Sequence, residues 1–525
     1  RVENSGVARS IKKKRHKMLL KMFFLTLLLV LANAEANTVP RAVIMHYDNQ
    51  SIPLPSFGTM TKWQDSWGVE DLDASLYDQQ LARLRNISKF PLRGWNSCGA
   101  FMWSTNETEM MANIDLTAQL LQASGYNIIE LDWYWYLDLN NETTYLDEYG
   151  RPQPDVNRWP SSTGIQGFKR IIDYIHSKGM LFGLHVMRGI SAVAVEYKLP
   201  VFGTNYTADQ IYDANRPCRW YCFPVSRFYA LNLNHPGAQA YQNSLYAQFA
   251  SWGVDMIKAD CVYGGDYVLD QIQSVSQAIE HSGRPMLLSL SPGNGPDEPD
   301  QQALRSATVT PMVNVYRMTA DTWASWQQWK IYNHWHAAYL IRDFIGGSKI
   351  GRYGVPAYPD YDNPPFGYLT DPYQGRQPHF MSPLTRDEHY TVAAFWMFSR
   401  APMFYEGDLR TQDPFSLSLV TNQRAIQMLD YSTNITVIQY SAFNSSVWRS
   451  DSTSEFGASY VSLYNIQDNS TQTLSVNMQA ITNNRGSICT IQEIWNGTVT
   501  TQVEWINVTL PVHGSALYKV YQCHS

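Results

Sequence analysis

From Phe90 to about Asp430 the chain repeats one pattern, a short run of β-branched or aromatic residues followed by a longer amphipathic stretch. The short runs fall near 92–96, 127–133, 181–187, 255–261, 286–291, 313–317, 349–352 and 402–405, and their composition predicts strands. Between them the apolar spacing predicts helices over Glu107–Ala123, Gly167–Lys178, Ala238–Trp252, Leu269–His281, Trp326–Phe344 and Asp387–Arg400. Gly125, Gly179, Gly253 and Gly283 stand where helix-to-strand loops favour glycine. Repeated strand–helix units require a parallel sheet, and this number of them suggests an α/β fold of the (β/α)8 TIM-barrel type over 91–430. Periodicity alone leaves an open, doubly wound sheet as the alternative. After Asp430 the texture changes. Ile435–Tyr440, Tyr460–Tyr464, Thr473–Val476, Ile488–Trp495, Val503–Val508 and Ala516–Tyr521 alternate in the manner of strands between polar turns, which predicts a separate antiparallel β-sandwich over 431–525. Residues 35–90 have no clear period and are expected to wrap the barrel.

The first 34 residues are of another kind. Lys12–Lys17 is strongly basic, Met22–Leu31 is apolar and Ala32-Asn33-Ala34 is an A-x-A site, the three parts of a secretory signal peptide; residues 1–17 are open to reading as untranslated leader. The apolar run falls short of the roughly 20 residues that span a bilayer. Eight of the 40 Lys and Arg but one of the 46 Asp and Glu lie in 1–34, so the body carries 32 positive against 45 negative charges, a net of −13. Such a surface repels phosphate backbones and argues against nucleic-acid binding. N-x-[ST] sequons recur at Asn49, Asn86, Asn106, Asn141, Asn205, Asn434, Asn444, Asn469, Asn496 and Asn507, as suits a secreted or lysosomal glycoprotein. Six cysteines fit an oxidising compartment. Cys218-x-x-x-Cys222 lacks a second pair with zinc-like spacing, so neither a metal nor another cofactor is expected.

Barrel enzymes carry their chemistry at the C-terminal ends of the strands. There stand Asp132, His185 and Arg188, then Lys258, Asp260 and Cys261, then Ser289 and Ser291, Arg317 and Asp321, and Asp360 and Asp362. Carboxylates accept hydrogen bonds from paired hydroxyls, the 17 Trp and 33 Tyr offer flat rings to a pyranose face, and two opposed carboxylates hydrolyse a glycosidic bond without metal. A lone strand-end aspartate is also a common loop cap or ion-pair partner, and His334 and His336, two apart on a helix, face different ways. No G-x-S-x-G or H-E-x-x-H motif occurs, and Gly293-Asn-Gly295 lacks the context of a dinucleotide loop.

At these strand ends the sequence resembles glycoside hydrolase family 27, the α-galactosidase and α-N-acetylgalactosaminidase (melibiase) family, and within it a divergent plant-type branch. The likeness runs in order from Arg93 to Tyr521 through Gly94-Trp95-Asn96-Ser97, Gly150–Asp155, Arg158-Trp159-Pro160, Ile175–Gly179, Trp252–Asp260, Arg317–Asp321 with Trp323, Pro359–Asp362, Ala401-Pro402-Met403 and Gly407–Arg410. The resemblance implies a (β/α)8 barrel followed by an antiparallel β-domain. It makes Asp260 the nucleophile and Asp321 the general acid/base of a retaining glycosidase, with Lys258 keeping Asp260 charged and Arg317 binding a hydroxyl or orienting a carboxylate. Trp95, Asp132, Trp133, His185, Ser291 and Asp360 would line the sugar pocket. Cys261 is expected to pair with Cys222 or Cys218, and Cys489 with Cys523.

Three positions depart from the family pattern. Only Asp132 remains of two adjacent aspartates, followed by Trp133; the usual tyrosine after the third strand is His185; and Ser291 stands in the loop where α-galactosidases carry a glutamate. The expectation is a secreted retaining α-glycosidase acting on the terminal α-linked galactose of an oligosaccharide, glycolipid or glycoprotein. α-N-Acetylgalactosaminides and related pyranosides are the alternative substrates. A catalytically inactive carbohydrate-binding glycoprotein and a purely structural one are the rival classes. The oligomeric state, a homodimer included, is open.

Overall fold

The structure is a computed structural model and describes residues 41–46, 74–138, 140–141, 143–218, 227–262, 268–292, 308–327, 333–340, 342, 349–371 and 377–525. The expected leader and signal peptide lie outside the described residues.

Eight parallel strands curl into one sheet: β1 (Arg93–Asn96), β2 (Ile128–Leu131), β3 (Leu181–Met187), β4 (Met256–Asp260), β5 (Leu287–Ser291), β6 (Val315–Arg317), β7 (Pro356–Asp360) and β8 (Met403–Tyr405). Their hydrogen-bonded order is β8-β1-β2-β3-β4-β5-β6-β7, with Lys349–Ile350 added antiparallel to β7. The strands are buried on both faces, as parallel strands under a shell of helices must be. Helices α1 (Ala74–Ser88), α2 (Glu107–Leu120), α3 (Lys169–Ser177), α4 (Pro236–Trp252), α5 (Leu269–His281), α6 (Asn333–Leu340) and α7 (Arg386–Phe398) surround them. The four glycines singled out between helices and strands all take positive φ; Gly253, at +96°, ends α4 with its N–H on the carbonyls of Ala250 and Phe249.

Two layers fix which end of the barrel is open. At the N-terminal end Leu92, Ile128, Leu181, Met256, Leu287, Val315 and Phe404 form an apolar floor, and Leu84 of α1 closes it from below. Arg83 and Arg85 anchor this helix on the carbonyls of Met180 and Tyr353. The C-terminal end is left for polar side chains. Register then sets their heights: Lys258 lies opposite His185, Asp260 opposite Ser291, and Arg317 opposite Asp360.

The second unit is antiparallel. A six-stranded sheet has the order β9-β10-β11-β16-β13-β14, built from β9 (Ser432–Ser441), β10 (Ser445–Ser452), β11 (Ser459–Asn465), β13 (Ile488–Glu493), β14 (Val499–Val503) and β16 (Ser515–His524). A two-stranded sheet, β12 (Gln472–Asn477) with β15 (Trp505–Leu510), packs against it through Val476, Ile506 and Leu510 on Val461, Leu463 and Val520. Tyr464 of β11 meets Trp335 of α6 and Phe395 of α7, joining this unit to the barrel.

Two expected elements shift and one strand is additional. The seventh barrel strand is Pro356–Asp360 rather than 349–352; its two prolines disguised it, and they are tolerated because among the described residues no ladder joins β7 to β8. The run at 503–508 is divided at Glu504 between two strands, and the polar β10 was not foreseen. Among the described residues no helix is long and apolar enough to cross a membrane.

Candidate active site

The open end of the barrel gathers carboxylates from five strands around two cations. Asp132, one residue past β2, is tied on both oxygens: Oδ2 accepts from Lys258 Nζ (2.6 Å) and Asn96 Nδ2 (2.8 Å), and Oδ1 accepts from the Trp133 N–H (2.8 Å). Burial works to raise its pKa, but Lys258, His185 and these hydrogen bonds outweigh it and hold the carboxyl below its ordinary value. Glu130, two residues earlier and on the same face, has no direct donor on Oε1; burial lifts it to about 7 against the pull of Lys258. Lys258, desolvated but facing both acids, has its pKa driven well up.

Asp260 ends β4. Its Oδ1 accepts from the Cys261 N–H at 2.5 Å and its Oδ2 faces His185 Nε2 at 3.0 Å. Asp321, four residues past Arg317, is held by Arg317 Nη2 at 2.9 Å, and the same nitrogen reaches Asp362 Oδ2 at 2.9 Å. The Asp321 side chain is 31% exposed against 7% for Asp260, so Asp321 is the carboxyl with access to water. The walls of the cleft still desolvate it, and with the charges of Asp362 and Asp260 they raise its pKa to about 6 despite Arg317. Asp360 rises to about 6, mainly by burial. One carboxylate fully anchored by donors and a second poised near neutrality is the division of labour that general acid/base hydrolysis needs.

The residues expected to form the site fall into two groups with further side chains beside them. Lys258 is hydrogen-bonded to Asp132 rather than to Asp260, which corrects the expectation that it holds Asp260 charged. His185 is hydrogen-bonded to Asp260, and its 3.8 Å approach to Asp132 brings the two pairs together on β2–β4. Ser291, Arg317 and Asp321 form the second group, Arg317 Nη1 reaching Ser291 Oγ at 3.3 Å. Asp360 accepts from the Asp362 N–H and stands opposite Arg317. Trp95 is fully buried with its indole N–H on the Gly407 carbonyl, so a ring face is all it can offer. Trp133 (φ +28°) and Tyr134 (φ +52°) both take left-handed backbone conformations; the two rings stack at 4.4 Å, with Trp103 edge-on to Trp133 at 5.5 Å. Bulky residues seldom accept such angles, and here they strain the segment that follows Asp132.

Cys261 is joined to Cys218, so the candidate pairing with Cys222 is corrected; Cys222 lies outside the described residues. Cys218 N–H bonds to the Phe228 carbonyl of a neighbouring short strand, which holds it within reach of Cys261. Cys489 pairs with Cys523 as expected. Among the described residues no three His, Cys, Asp or Glu side chains converge in a way that could hold a metal.

Two acids were missed. Glu406 follows β8 and is buried against Gly99, where an added Cβ would lie 2.4 Å from its Cδ; burial, with Asp362 and Asp132 nearby, drives its pKa well up. It borders a small cavity of about 50 Å³ shared with Trp323, Leu369, Thr370 and Phe380. The strand-end rule applied to Met403-Phe404-Tyr405-Glu406 would have found it. Glu130 lies inside its strand, and only the alternation with Asp132 signals it.

Residues 230–356 match the family described as Alpha galactosidase A (Melibiase_2). The chain is 22% identical over 393 residues to Alpha-galactosidase 3 of Hypocrea jecorina, covering 67% of this chain and 55% of that protein, little more than half its length. It superposes on the crystal structure of a GH27 β-L-arabinopyranosidase from Geobacillus stearothermophilus with a TM-score of 0.73 and 29% identity, over 83% of this chain and 97% of that one. A structure described as a putative α-N-acetylgalactosaminidase from Bacillus halodurans gives 0.70 and 28%, over 82% and 96%.

Proposed function

The chain belongs to glycoside hydrolase family 27, and on that premise we propose that it is a retaining glycosidase that removes a terminal galacto-configured pyranose, with Asp260 as nucleophile and Asp321 as general acid/base. The observation that carries this reading is the contrast between the two carboxyls, one anchored by two donors and one raised to about 6 and open to solvent.

In the first step an Asp260 oxygen bonds to the anomeric carbon as the glycosidic bond breaks, and Asp321 gives its proton to the departing oxygen. In the second, Asp321 takes a proton from water, whose oxygen bonds to the anomeric carbon and releases Asp260 as carboxylate. Two inversions give net retention, for which the carboxyls should stand roughly 5–5.5 Å apart. Arg317, bridging Asp321 and Asp362, restricts the acid to the side of the cleft from which it can reach the leaving oxygen. Asp132, with Lys258 and Asn96 behind it, presents a fixed anion to sugar hydroxyls.

Trp133 favours a second reading of the substrate. A β-L-arabinopyranoside has the ring stereochemistry of an α-D-galactoside but lacks the exocyclic CH2OH. An indole beside Asp132 removes an acceptor for a hydroxyl and fills space, which suits the smaller sugar. The likeness to the Geobacillus β-L-arabinopyranosidase supports the same choice. The sequons at Asn86, Asn141, Asn205, Asn434, Asn444, Asn469, Asn496 and Asn507 have exposed asparagines, which supports passage through the secretory pathway.

A panel of aryl glycosides tests the proposal: α-D-galactoside, α-N-acetylgalactosaminide and β-L-arabinopyranoside, with the first-formed sugar followed by NMR. The expected result is turnover of the galactoside or arabinopyranoside, the latter preferred, with the anomeric configuration kept. No turnover of any member would point to a carbohydrate-binding protein, and an inverted product would remove Asp260 from the role of nucleophile.

A further inference from the structure

We propose that His185 is a positioning residue whose imidazolium charge anchors the nucleophile and eases its departure from the sugar in the second step. The inference rests on the reading of Asp260 as nucleophile and adds to it a charged partner that the family pattern, with tyrosine at this position, does not supply.

The geometry is specific. His185 is 1% exposed, and its Nε2 lies 3.0 Å from Asp260 Oδ2 and 3.8 Å from Asp132 Oδ1. Lys258 Nζ lies 2.6 Å from the other oxygen of Asp132, so cation and anion alternate along the row Lys258–Asp132–His185–Asp260. The ladder fixes this row, because His185 and Lys258 are register partners on β3 and β4. On the other side the indole N–H of Trp135 binds the His185 carbonyl at 2.8 Å and holds its backbone in place.

The titratable groups that face the ring are Glu130 and Asp132 from β2 and Lys258 and Asp260 from β4. Burial alone would make the imidazole less basic, and Lys258 acts in the same sense. The carboxylates of Asp132 and Asp260 reverse the outcome, so the ring holds its proton above its ordinary pKa. A tyrosine would donate a hydrogen bond here without a charge.

The charge has unequal effects on the two steps. When Asp260 forms the glycosyl ester, its negative charge is spent and the imidazolium faces a neutral acyl group. When water displaces the sugar, the carboxylate returns as a leaving group, and the adjacent cation stabilises it as the charge develops. The imidazole gains and loses no proton in either step; all proton transfer belongs to Asp321.

Two measurements test this. In the wild-type protein an NMR titration of the His185 ring should give a midpoint above that of an ordinary histidine, and Asp260→Asn should lower it. This arm needs no turnover, so it speaks even if the glycosidase reading fails on the substrate panel. In the second arm, His185→Gln and His185→Tyr are assayed with an aryl glycoside bearing a good leaving group. A lost charge-assisted contact implies a fall in kcat of roughly tenfold to a hundredfold. KM should fall with it, kcat/KM should change less, and a pre-steady-state burst should appear because the second step has become limiting. A ring titrating at or below about 6.5, a midpoint indifferent to Asp260→Asn, or variants with the wild-type kcat would each overturn the inference. Equal losses in kcat and kcat/KM with no burst would do so too, since they would indicate a general structural defect.

Discussion

Asp321 and Trp133 are the residues at which the chemistry is most exposed to test. A general acid works while it holds its proton, so a carboxyl raised to about 6 gives a rate that is sustained below that pH and falls as pH rises through it. The kcat/KM profile should therefore carry an alkaline limb near pH 6. Asp321→Ala should remove that limb and slow natural glycosides by about a thousandfold or more, while activated aryl glycosides, whose leaving groups need little protonation, lose far less. Trp133→Asp asks a different question. It restores an acceptor beside Asp132 and places at φ +28° a residue type that tolerates left-handed backbone better than tryptophan does. The ratio of kcat/KM for galactoside over arabinopyranoside should rise at least about tenfold, the scale of one charge-assisted hydrogen bond. Loss of the Tyr134 and Trp103 contacts should lower stability at the same time. Part of this scale was legible in the sequence, because the inward-pointing side chains at the C-terminal ends of barrel strands share one cavity. Who binds whom was not. The pairing of Lys258 with Asp132, and of His185 with Asp260, depends on register between strands far apart in the chain.

The elements were legible where periodicity and glycine punctuation agreed, as in α4 and α5, whose ends fall within a few residues of their apolar pattern. They were not legible where the constraint is tertiary. Pro356-Ala357-Tyr358-Pro359-Asp360 is a poor strand by propensity and becomes one because the sheet has a place for it beside β6. The role of α1 was equally hidden, since nothing in residues 74–88 announces that Leu84 seals the floor beneath Leu92, Ile128 and Leu181. That role makes a prediction. Leu84→Ala removes a side chain that is 2% exposed from a closed apolar layer and should cost about 2–5 kcal/mol of stability. The site lies at the opposite end of the strands, so kcat should hold near the wild-type value while the urea midpoint drops. An equal loss of kcat at temperatures where the variant is fully folded would mean that the floor and the site are coupled.

For the whole molecule, the acidic body was plain from the sequence, but not which acids would keep their protons. Burial lifts Glu130 to about 7 and Asp321 and Asp360 to about 6, and it drives Glu406 well up. His185 and His513 are also raised by their carboxylate partners. His513 joins the two units: its Nδ1 meets Glu388 at the start of α7 (2.7 Å), its Nε2 meets Asp468 of the β-domain (3.0 Å), and its ring stacks on Trp326. Every one of these groups binds a proton more tightly folded than unfolded. The folded state therefore holds more protons than the unfolded chain from about pH 4 to pH 7, and stability must fall as pH rises across that window. Asp132, Asp255, Asp270 and Glu388 are shifted the other way, and their contribution is lost only as pH drops below the ordinary carboxylate range. The melting temperature at constant ionic strength should accordingly peak near pH 5, decline by pH 7.5 and decline again at pH 3. His513→Gln should flatten the decline on the alkaline side without removing it, because the barrel acids remain. A curve that rises from pH 5 to pH 7.5 would contradict the protonation assigned to the site, and with it the proton that Asp321 is asked to give. A stability maximum on the acid side would match the pH range in which that proton is available, so that fold and catalysis would favour the same mildly acidic surroundings.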